Sequence, residues 1–163
     1  MLKYVETKNA PAAIGPYSQG IICNGIAFFS GQIPLSPITG EVVGTTIEEQ
    51  TEQVMLNIKA LLESQNADFT DVVKTTCFLA DMGDFAAFNE IYAKYFTGKP
   101  ARSCVAVKDL PKGVLCEVET IASIRRNRYD KEETNCHRPG RKRPGQHPSG
   151  TDGSCQDHSA RHR

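Results

Sequence analysis

Residues 100–122 read PARSCVAVKDLPKGVLCEVETIA, and this stretch decides the fold class. It contains two apolar, strand-like runs, SCVAV and VLCEVETIA, separated by the turn-forming segment KDLPKG. The two runs come after a region in which strands and helices alternate, so the folded domain is predicted to finish with two β-strands.

Upstream of this stretch, the sequence predicts a hairpin and then a helix. Residues 20–35, GIICNGIAFFSGQIPL, contain two β-runs around an Asn-Gly dipeptide, which is a strong short-range signal for a hairpin. Thr46 and Glu49 have the spacing of a capping box. Apolar residues then recur at helical intervals to about Gln65.

The middle of the chain predicts a third strand and a second helix. Residues 71–81, DVVKTTCFLAD, are rich in β-branched residues and predict a strand. Asp84 is predicted to cap a helix with an aromatic face, which Gly98 and Pro100 terminate. The predicted order is therefore β-β-α-β-α-β-β, an α+β fold with two helices on one face of a mixed sheet. Because two helices leave much of the other face uncovered, oligomerisation is predicted.

Charge and hydrophobicity divide the chain of 163 residues in two. Residues 1–124 hold 9 Lys and Arg against 14 Asp and Glu, a net charge of −5, whereas residues 125–163 hold 10 against 5, a net charge of +5. The second part has four residues of the hydrophobic class, too few to offset the loss of chain entropy on folding. We therefore expect a folded domain over 1–124 and a basic, disordered tail over 125–163.

Several kinds of protein do not fit this sequence. The N-terminus has no long apolar segment of the secretory type, and no run is long enough to span a membrane. The six cysteines show no CxxC spacing, so we expect buried, reduced thiols and a cytoplasmic location, with an organellar one left open. Residues 1–124 contain no histidine, no Walker A motif and no GxGxxG. Histidine-based nucleophilic catalysis, phosphate cradling and a zinc site are therefore not expected.

Arg102 and Glu117 are the strongest candidates for chemistry. A guanidinium stays charged and binds a carboxylate with two parallel hydrogen bonds, and Arg102 is the only arginine in residues 1–124. Alternation places Glu117 and Glu119 on one face of the last strand. If the two runs of residues 100–122 form a hairpin, Glu117 lies within a residue or two of Arg102, although another strand could lie between the runs instead. A structural ion pair for the arginine and a solvated face for the glutamates remain alternatives.

Further candidates come from turns, a helix and a thiol, and each also has a purely structural interpretation. Tyr17 follows a Gly-Pro turn that fixes its ring, and Gly31 could let backbone approach a ligand. Asn89 lies on the second predicted helix. The pKa of the Cys104 thiol could be lowered by the neighbouring arginine, although a small core thiol is the favoured interpretation.

Several motifs together resemble a known family. They are GPYSQG, SGQIP, TGEVV, VVKTTCFLADMGDFAAFNEIY and, above all, the 100–122 stretch with its P-x-R-S-C-V and C-E-V-E segments. In this order they are similar to the Rid family of reactive intermediate deaminases, also called YjgF-type proteins, and to its RidA branch in particular. The resemblance covers essentially all of residues 1–124, whereas the tail is atypical of the family.

The resemblance implies a chorismate-mutase-like fold, a homotrimer with clefts between subunits, and no cofactor or metal. It implies hydrolysis of 2-iminobutanoate and 2-iminopropanoate to 2-keto acids and ammonia. By the same resemblance, Arg102 would bind the substrate carboxylate and Glu117 would position the attacking water and move protons. The cleft would be lined by Tyr17, Ser30, Gly31, Phe85, Asn89 and Cys104.

Two other functions stay open at this point. Members of this family are also described as RNA-binding or endoribonuclease-type translation inhibitors. A net charge of −5 and the lack of histidine in residues 1–124 argue against RNA cleavage, although the basic tail could bind polyanions without specificity. A chaperone-like binding module without turnover is the second alternative.

Overall fold

The computed structural model of the protein describes residues 2–124. The predicted tail at 125–163 lies outside the described residues. Six strands and two α-helices form the described part: β1 Leu2–Val5, β2 Gly20–Cys23, β3 Ile26–Gln32, α1 Ile47–Glu63, β4 Val72–Leu79, α2 Phe85–Tyr95, β5 Ala101–Ala106 and β6 Cys116–Ser123.

The six strands form one mixed sheet in the order β1-β2-β3-β6-β4-β5. Strands β4 and β5 pair in parallel, and the other neighbouring pairs are antiparallel. Both α1 and α2 are crossover helices between parallel strands, from β3 to β4 and from β4 to β5. Because such crossovers share one hand and both advance in the same direction across the sheet, both helices lie on the same face. The predicted α+β class with two helices on one face is confirmed.

The hairpin considered for residues 100–122 is wrong. Strand β4 lies between β5 and β6, so the two runs are not neighbours in the sheet. The physical reason is that β6 fills the gap left between β3 and β4 by the first crossover, where it finds backbone partners on both sides. A strand at that position satisfies more backbone hydrogen-bonding groups than one added at an edge.

Local signals explain how the other elements begin. Asn24 and Gly25 have φ angles of 52° and 81°, as the tight turn between β2 and β3 requires. At the start of α1, both hydrogen bonds of the Thr46–Glu49 capping box are present. The predicted cap of α2 is wrong in detail. Asp84 occupies the N-cap position without a side-chain hydrogen bond, because a short 3₁₀ turn over Met82–Asp84 precedes the helix.

Strand β1 was not predicted. Only four residues long, it pairs with β2 at one edge of the sheet, and its burial is confined to its last residue, Val5. A strand this short has no alternating pattern long enough to separate it from a loop.

The core lies between the helices and the sheet, and the other face of the sheet stays partly exposed. Residues Val54, Ile58 and Leu61 of α1 are fully buried. On the opposite face, a row of apolar side chains crosses four neighbouring strands, namely Tyr4, Ile21, Phe28 and Ile121. Tyr4 is 65% exposed and Phe28 48% exposed. The open face therefore exposes apolar surface to solvent that would be buried if the sheet were covered on both sides.

Candidate active site

Arg102 lies near the start of β5, on the side of the sheet that the helices cover. Its partner in the parallel register is Thr75 of β4, which is fully buried under the helices. The guanidinium extends toward α2, where one Nη donates a hydrogen bond to Oδ1 of Asn89 at 2.7 Å. Because β5 is an edge strand, the arginine remains exposed to solvent.

Two aromatic rings of α2 complete the surroundings of the guanidinium. Its Cζ atom lies 4.7 Å from the ring centre of Tyr92 and 5.6 Å from that of Phe85. Within residues 2–124, no carboxylate oxygen lies within 4.0 Å of Arg102, and the one ion pair joins Lys59 to Glu63. The arginine is thus held by neutral groups, and its positive charge has no carboxylate partner in the described chain.

Glu117 lies on the open face of the sheet. Its neighbour on β4 is Phe78, while the flanking Cys116 and Val118 point into the core. This confirms the predicted alternation along β6.

The side chain of Glu117 passes directly over Gly31. Strand β3 is irregular between Phe29 and Gln32, and Gly31 lies within that irregular stretch. A Cβ atom built on Gly31 would come within 1.9 Å of Oε1 of Glu117. A side chain at position 31 would therefore displace the Glu117 carboxylate, which occupies that space.

The environment of Glu117 favours its protonated form. Partial burial raises the pKa of the Glu117 carboxyl above its usual value of 4.5, and the nearby Glu119 raises it further. Both effects oppose a negative charge. The carboxyl is accordingly better able to hold a proton near neutral pH than a fully solvated glutamate.

Tyr17 and Ser30 lie near Gly31. Tyr17 is 51% exposed, and its ring packs against Gly15. Together with Gly31 it lines a small cavity of about 30 Å³. The hydroxyl of Ser30 donates to the backbone oxygen of Ser18 at 2.6 Å, which ties β3 to the turn that carries Tyr17.

Cys104 lies beside Cys77 across the β4–β5 pair, on the helix side of the sheet. Burial raises the pKa of the Cys104 thiol, and this effect outweighs the lowering by Arg102. The suggested lowering of the Cys104 pKa by the arginine is therefore smaller than the increase caused by burial. The four described cysteines are all free, although Cys23 and Cys104 are only partly buried.

The predicted residues form two groups, and one chain does not bring the groups together. Arg102, Asn89, Phe85 and Cys104 lie on the helix side at the β5 edge, whereas Glu117 lies with Gly31, Tyr17 and Ser30 on the open side or at its margin. The predicted closeness of Arg102 to Glu117 is wrong for a single chain, because β4 separates their strands and their side chains leave opposite faces.

Sequence reasoning missed one neighbour of the arginine. Tyr92 was predicted only as part of the aromatic face of the second helix, yet its ring faces the guanidinium. The signal was present in the spacing of Phe85, Asn89 and Tyr92, which follow one another at i, i+4 and i+7 and so share one helix face. Which charged group this face would meet could not be known without the position of β5.

Residues 2–124 contain no helix that is both long and apolar enough to cross a membrane. No cluster of three or more His, Cys, Asp or Glu side chains in that range could hold a metal ion. The absence of a metal or cofactor remains a prediction.

Comparisons with known proteins agree on one family. The family model described as endoribonuclease L-PSP matches residues 7–124. The candidate regulator AldR of Lactococcus lactis is 56% identical over 76% of this chain and 99% of its own length. The chloroplastic Reactive Intermediate Deaminase A of Arabidopsis thaliana is 50% identical over 74% of this chain and 65% of its own length.

A solved structure gives the same result for the fold. E. coli TdcF, crystallised with bound serine, superimposes with a TM-score of 0.71 at 42% identity, covering 74% of this chain and 98% of TdcF. The chain therefore belongs to the endoribonuclease L-PSP family, the YjgF- or Rid-type family that its sequence motifs resemble.

Proposed function

We propose that this protein hydrolyses reactive 2-imino acids, such as 2-iminobutanoate and 2-iminopropanoate, to 2-keto acids and ammonia. The observation that carries the proposal is that Arg102 has no carboxylate partner among residues 2–124. Arg102 is fixed by an amide oxygen and two aromatic rings, all of them neutral, at an exposed strand edge. Such an arrangement keeps a guanidinium free to bind a carboxylate from solution.

Two relatives support this choice of substrate. One is named a reactive intermediate deaminase, and the other holds serine, an amino acid whose α-carboxylate a 2-imino acid shares. In this protein, Arg102 would bind that carboxylate and so place the imine carbon next to the water-activating group.

Glu117 is suited to the chemical step itself, in which water adds to the imine and ammonia is released. Water adds its oxygen to the imine carbon, a proton moves to the nitrogen, and the C–N bond of the resulting carbinolamine breaks to release ammonia. One carboxylate can accept a proton from the water and pass it to the leaving amine, and a raised pKa makes it a stronger base that keeps the proton near neutral pH until the amine takes it. The imine carbon is already electrophilic, so the reaction needs neither a nucleophilic side chain nor a metal.

The site would be completed by a second copy of the chain. Arg102 and Glu117 leave opposite faces of the sheet, so a substrate cannot reach both within one chain. The partly exposed apolar row that contains Tyr4 and Phe28 favours burial against another subunit. We therefore place the reaction in clefts between the subunits of a homotrimer, each cleft taking Arg102 from one subunit and Glu117 from its neighbour.

An imine-trapping assay tests the function. An amino-acid oxidase produces 2-iminopropanoate in place, and semicarbazide traps the imine that survives. We expect less trapped imine in the presence of the wild-type protein than in buffer alone. With Arg102→Ala or Glu117→Ala, the amount of trapped imine should equal that in buffer alone. Lys59→Ala and Glu63→Ala, which remove the exposed ion pair of α1, are the matched controls and should behave as wild type.

The same variants separate the rival functions. If the amount of trapped imine with the wild-type protein equals that in buffer, the deaminase proposal is contradicted. A holdase should keep its binding activity in both site variants, since neither removes apolar surface. RNA cleavage by the purified protein would favour the ribonuclease interpretation, provided that it survives removal of the basic residues 125–163.

A further inference from the structure

We infer that Tyr92, anchored by Thr75, is a positioning residue that holds Arg102 ready for the substrate carboxylate. The inference rests on the proposed function, because it assigns to Arg102 the binding of a carboxylate. It adds a residue pair that neither the motifs nor the comparisons single out. The tyrosine acts through the arginine and does not itself contact the substrate.

The ring of Tyr92 provides the nearest aromatic surface to the guanidinium. Its centre lies 4.7 Å from Cζ of Arg102, nearer than that of Phe85 at 5.6 Å, and both distances are within the range of cation–π attraction. Asn89 fixes the rotation of the guanidinium through one Nη. Two rings and one amide oxygen thus restrict a side chain that would otherwise sample many rotamers at an exposed strand edge.

Thr75 fixes the ring of Tyr92 in turn. Oγ1 of Thr75 and the hydroxyl of Tyr92 form a buried hydrogen bond of 2.7 Å in which either group can donate. Thr75 is fully buried and is also the register partner of Arg102 in the parallel β4–β5 pair. Thr75 therefore acts on both partners: its backbone position pairs with that of Arg102, and its hydroxyl holds the ring beside the guanidinium.

The neutral character of this arrangement is what makes it suitable for substrate binding. A carboxylate in place of the ring would hold the arginine equally well but would neutralise it and compete with the substrate. An aromatic face restrains the guanidinium and leaves its remaining N–H groups available. Holding the side chain in place before binding removes part of the entropy that binding would otherwise cost.

The position of Tyr92 predicts an effect on KM with little effect on kcat. Tyr92→Leu keeps an apolar side chain in the core but removes the ring, and we expect KM for 2-iminopropanoate to rise about tenfold. Tyr92→Phe keeps the ring but loses its hydrogen bond to Thr75, and Thr75→Val loses the same bond at nearly constant volume, so each should raise KM by a smaller factor of about three. The value of kcat should stay unchanged, because Glu117 is untouched.

A matched control separates positioning from stability. Tyr95 lies on the same helix, but its hydroxyl donates to Glu52 and its ring packs against Phe69, away from the arginine. Tyr95→Leu should lower Tm and leave KM at the wild-type value. If Tyr95→Leu and Tyr92→Leu raise KM alike, the effect is one of stability and the inference is wrong.

A second measurement avoids turnover altogether. Pyruvate carries the same carboxylate as the imine and is stable, so its Kd for the complete protein can be measured by following NMR chemical shifts during a titration. The Kd should rise about tenfold in Tyr92→Leu and about threefold in Tyr92→Phe and Thr75→Val, which both lose the hydrogen bond between the two hydroxyls. If Tyr92→Leu does not fold, an unchanged Kd in Thr75→Val overturns the inference on its own. A wild-type protein that binds pyruvate through Arg102 but hydrolyses no imine would overturn the proposed function and leave this inference standing.

Discussion

Replacing Gly31 by alanine should disable the protein by displacing Glu117 while leaving the fold intact. The new Cβ would lie 1.9 Å from Oε1 of the glutamate and 2.8 Å from its Cδ. To reach an ordinary contact of 3.4 Å, the oxygen has to move by about 1.5 Å. The clash is with the far end of a flexible side chain that can turn away, so the cost in stability should be small. Gly31 also lacks a positive φ angle, and alanine suits its backbone.

The loss of activity should be much larger than the loss of stability. Misplacing a catalytic group by about 1 Å can reduce the rate about 100-fold, which corresponds to roughly 2.7 kcal/mol of transition-state stabilisation. The imine-trapping assay measures the rate, and thermal unfolding measures Tm. Gly98→Ala is the matched control, because its Cβ would meet nothing closer than 3.6 Å and its φ is also not positive.

Two results would refute this reasoning. Wild-type activity in Gly31→Ala would mean that the position of the Glu117 carboxyl does not matter for the reaction. A large drop in Tm that persists in the double variant with Glu117→Ala would mean that the alanine clashes with something other than the glutamate.

Three further predictions concern the arginine, the glutamate and the thiols. Arg102→Lys keeps the charge but loses the two parallel hydrogen bonds, so KM should rise about tenfold or more, and a wild-type KM would contradict carboxylate recognition by the guanidinium. Because the folded-state pKa of Glu117 is raised, wild-type stability should fall as the pH rises from 4.5 through that pKa. Glu117→Gln should accordingly have a higher Tm than wild type at pH 7 and lose this advantage below pH 4.5, whereas an equal Tm at both pH values would contradict the pKa shift. Burial raises the pKa of Cys77 to about 12 and that of Cys116 to about 11, so peptide mapping after iodoacetamide at pH 8 should find Cys23 alkylated before either of them.

Much of the fold could be predicted because its signals are local. The Asn-Gly turn, the capping box before α1 and the alternation along β6 each depend on a few neighbouring residues, and each is confirmed. The helix of the second crossover was also predicted from its aromatic face, although the 3₁₀ turn before it was not.

The order of strands in the sheet could not be predicted in this way. Two adjacent runs with a turn between them favour a hairpin, and nothing within residues 100–122 reveals that β4 lies between them. That arrangement depends on the two crossovers of the whole domain. Because of this error, Glu117 was predicted to lie close to Arg102. The assembled sheet shows instead that the side chains of Arg102 and Glu117 leave opposite faces.

The sequence therefore predicted individual candidate residues of the site but not their arrangement in space. Residue type predicted that Arg102 binds a carboxylate, and the structure adds that the amide and the aromatic ring that hold its guanidinium are neutral. The roles of Tyr92 and Thr75 depend on contacts between α2 and two strands, which sequence spacing alone does not specify.

Subunit complementation tests the central claim most directly, namely that Arg102 of one copy and Glu117 of another form one imine-hydrolysing site. Arg102→Ala and Glu117→Ala chains carrying different affinity tags are co-expressed, and assemblies that retain both tags are isolated. In a head-to-tail trimer of mixed chains, one of the three clefts has both residues intact, so about a third of wild-type imine hydrolysis should return although neither variant alone is active. Mixed assemblies as inactive as either parent would contradict a site shared between copies.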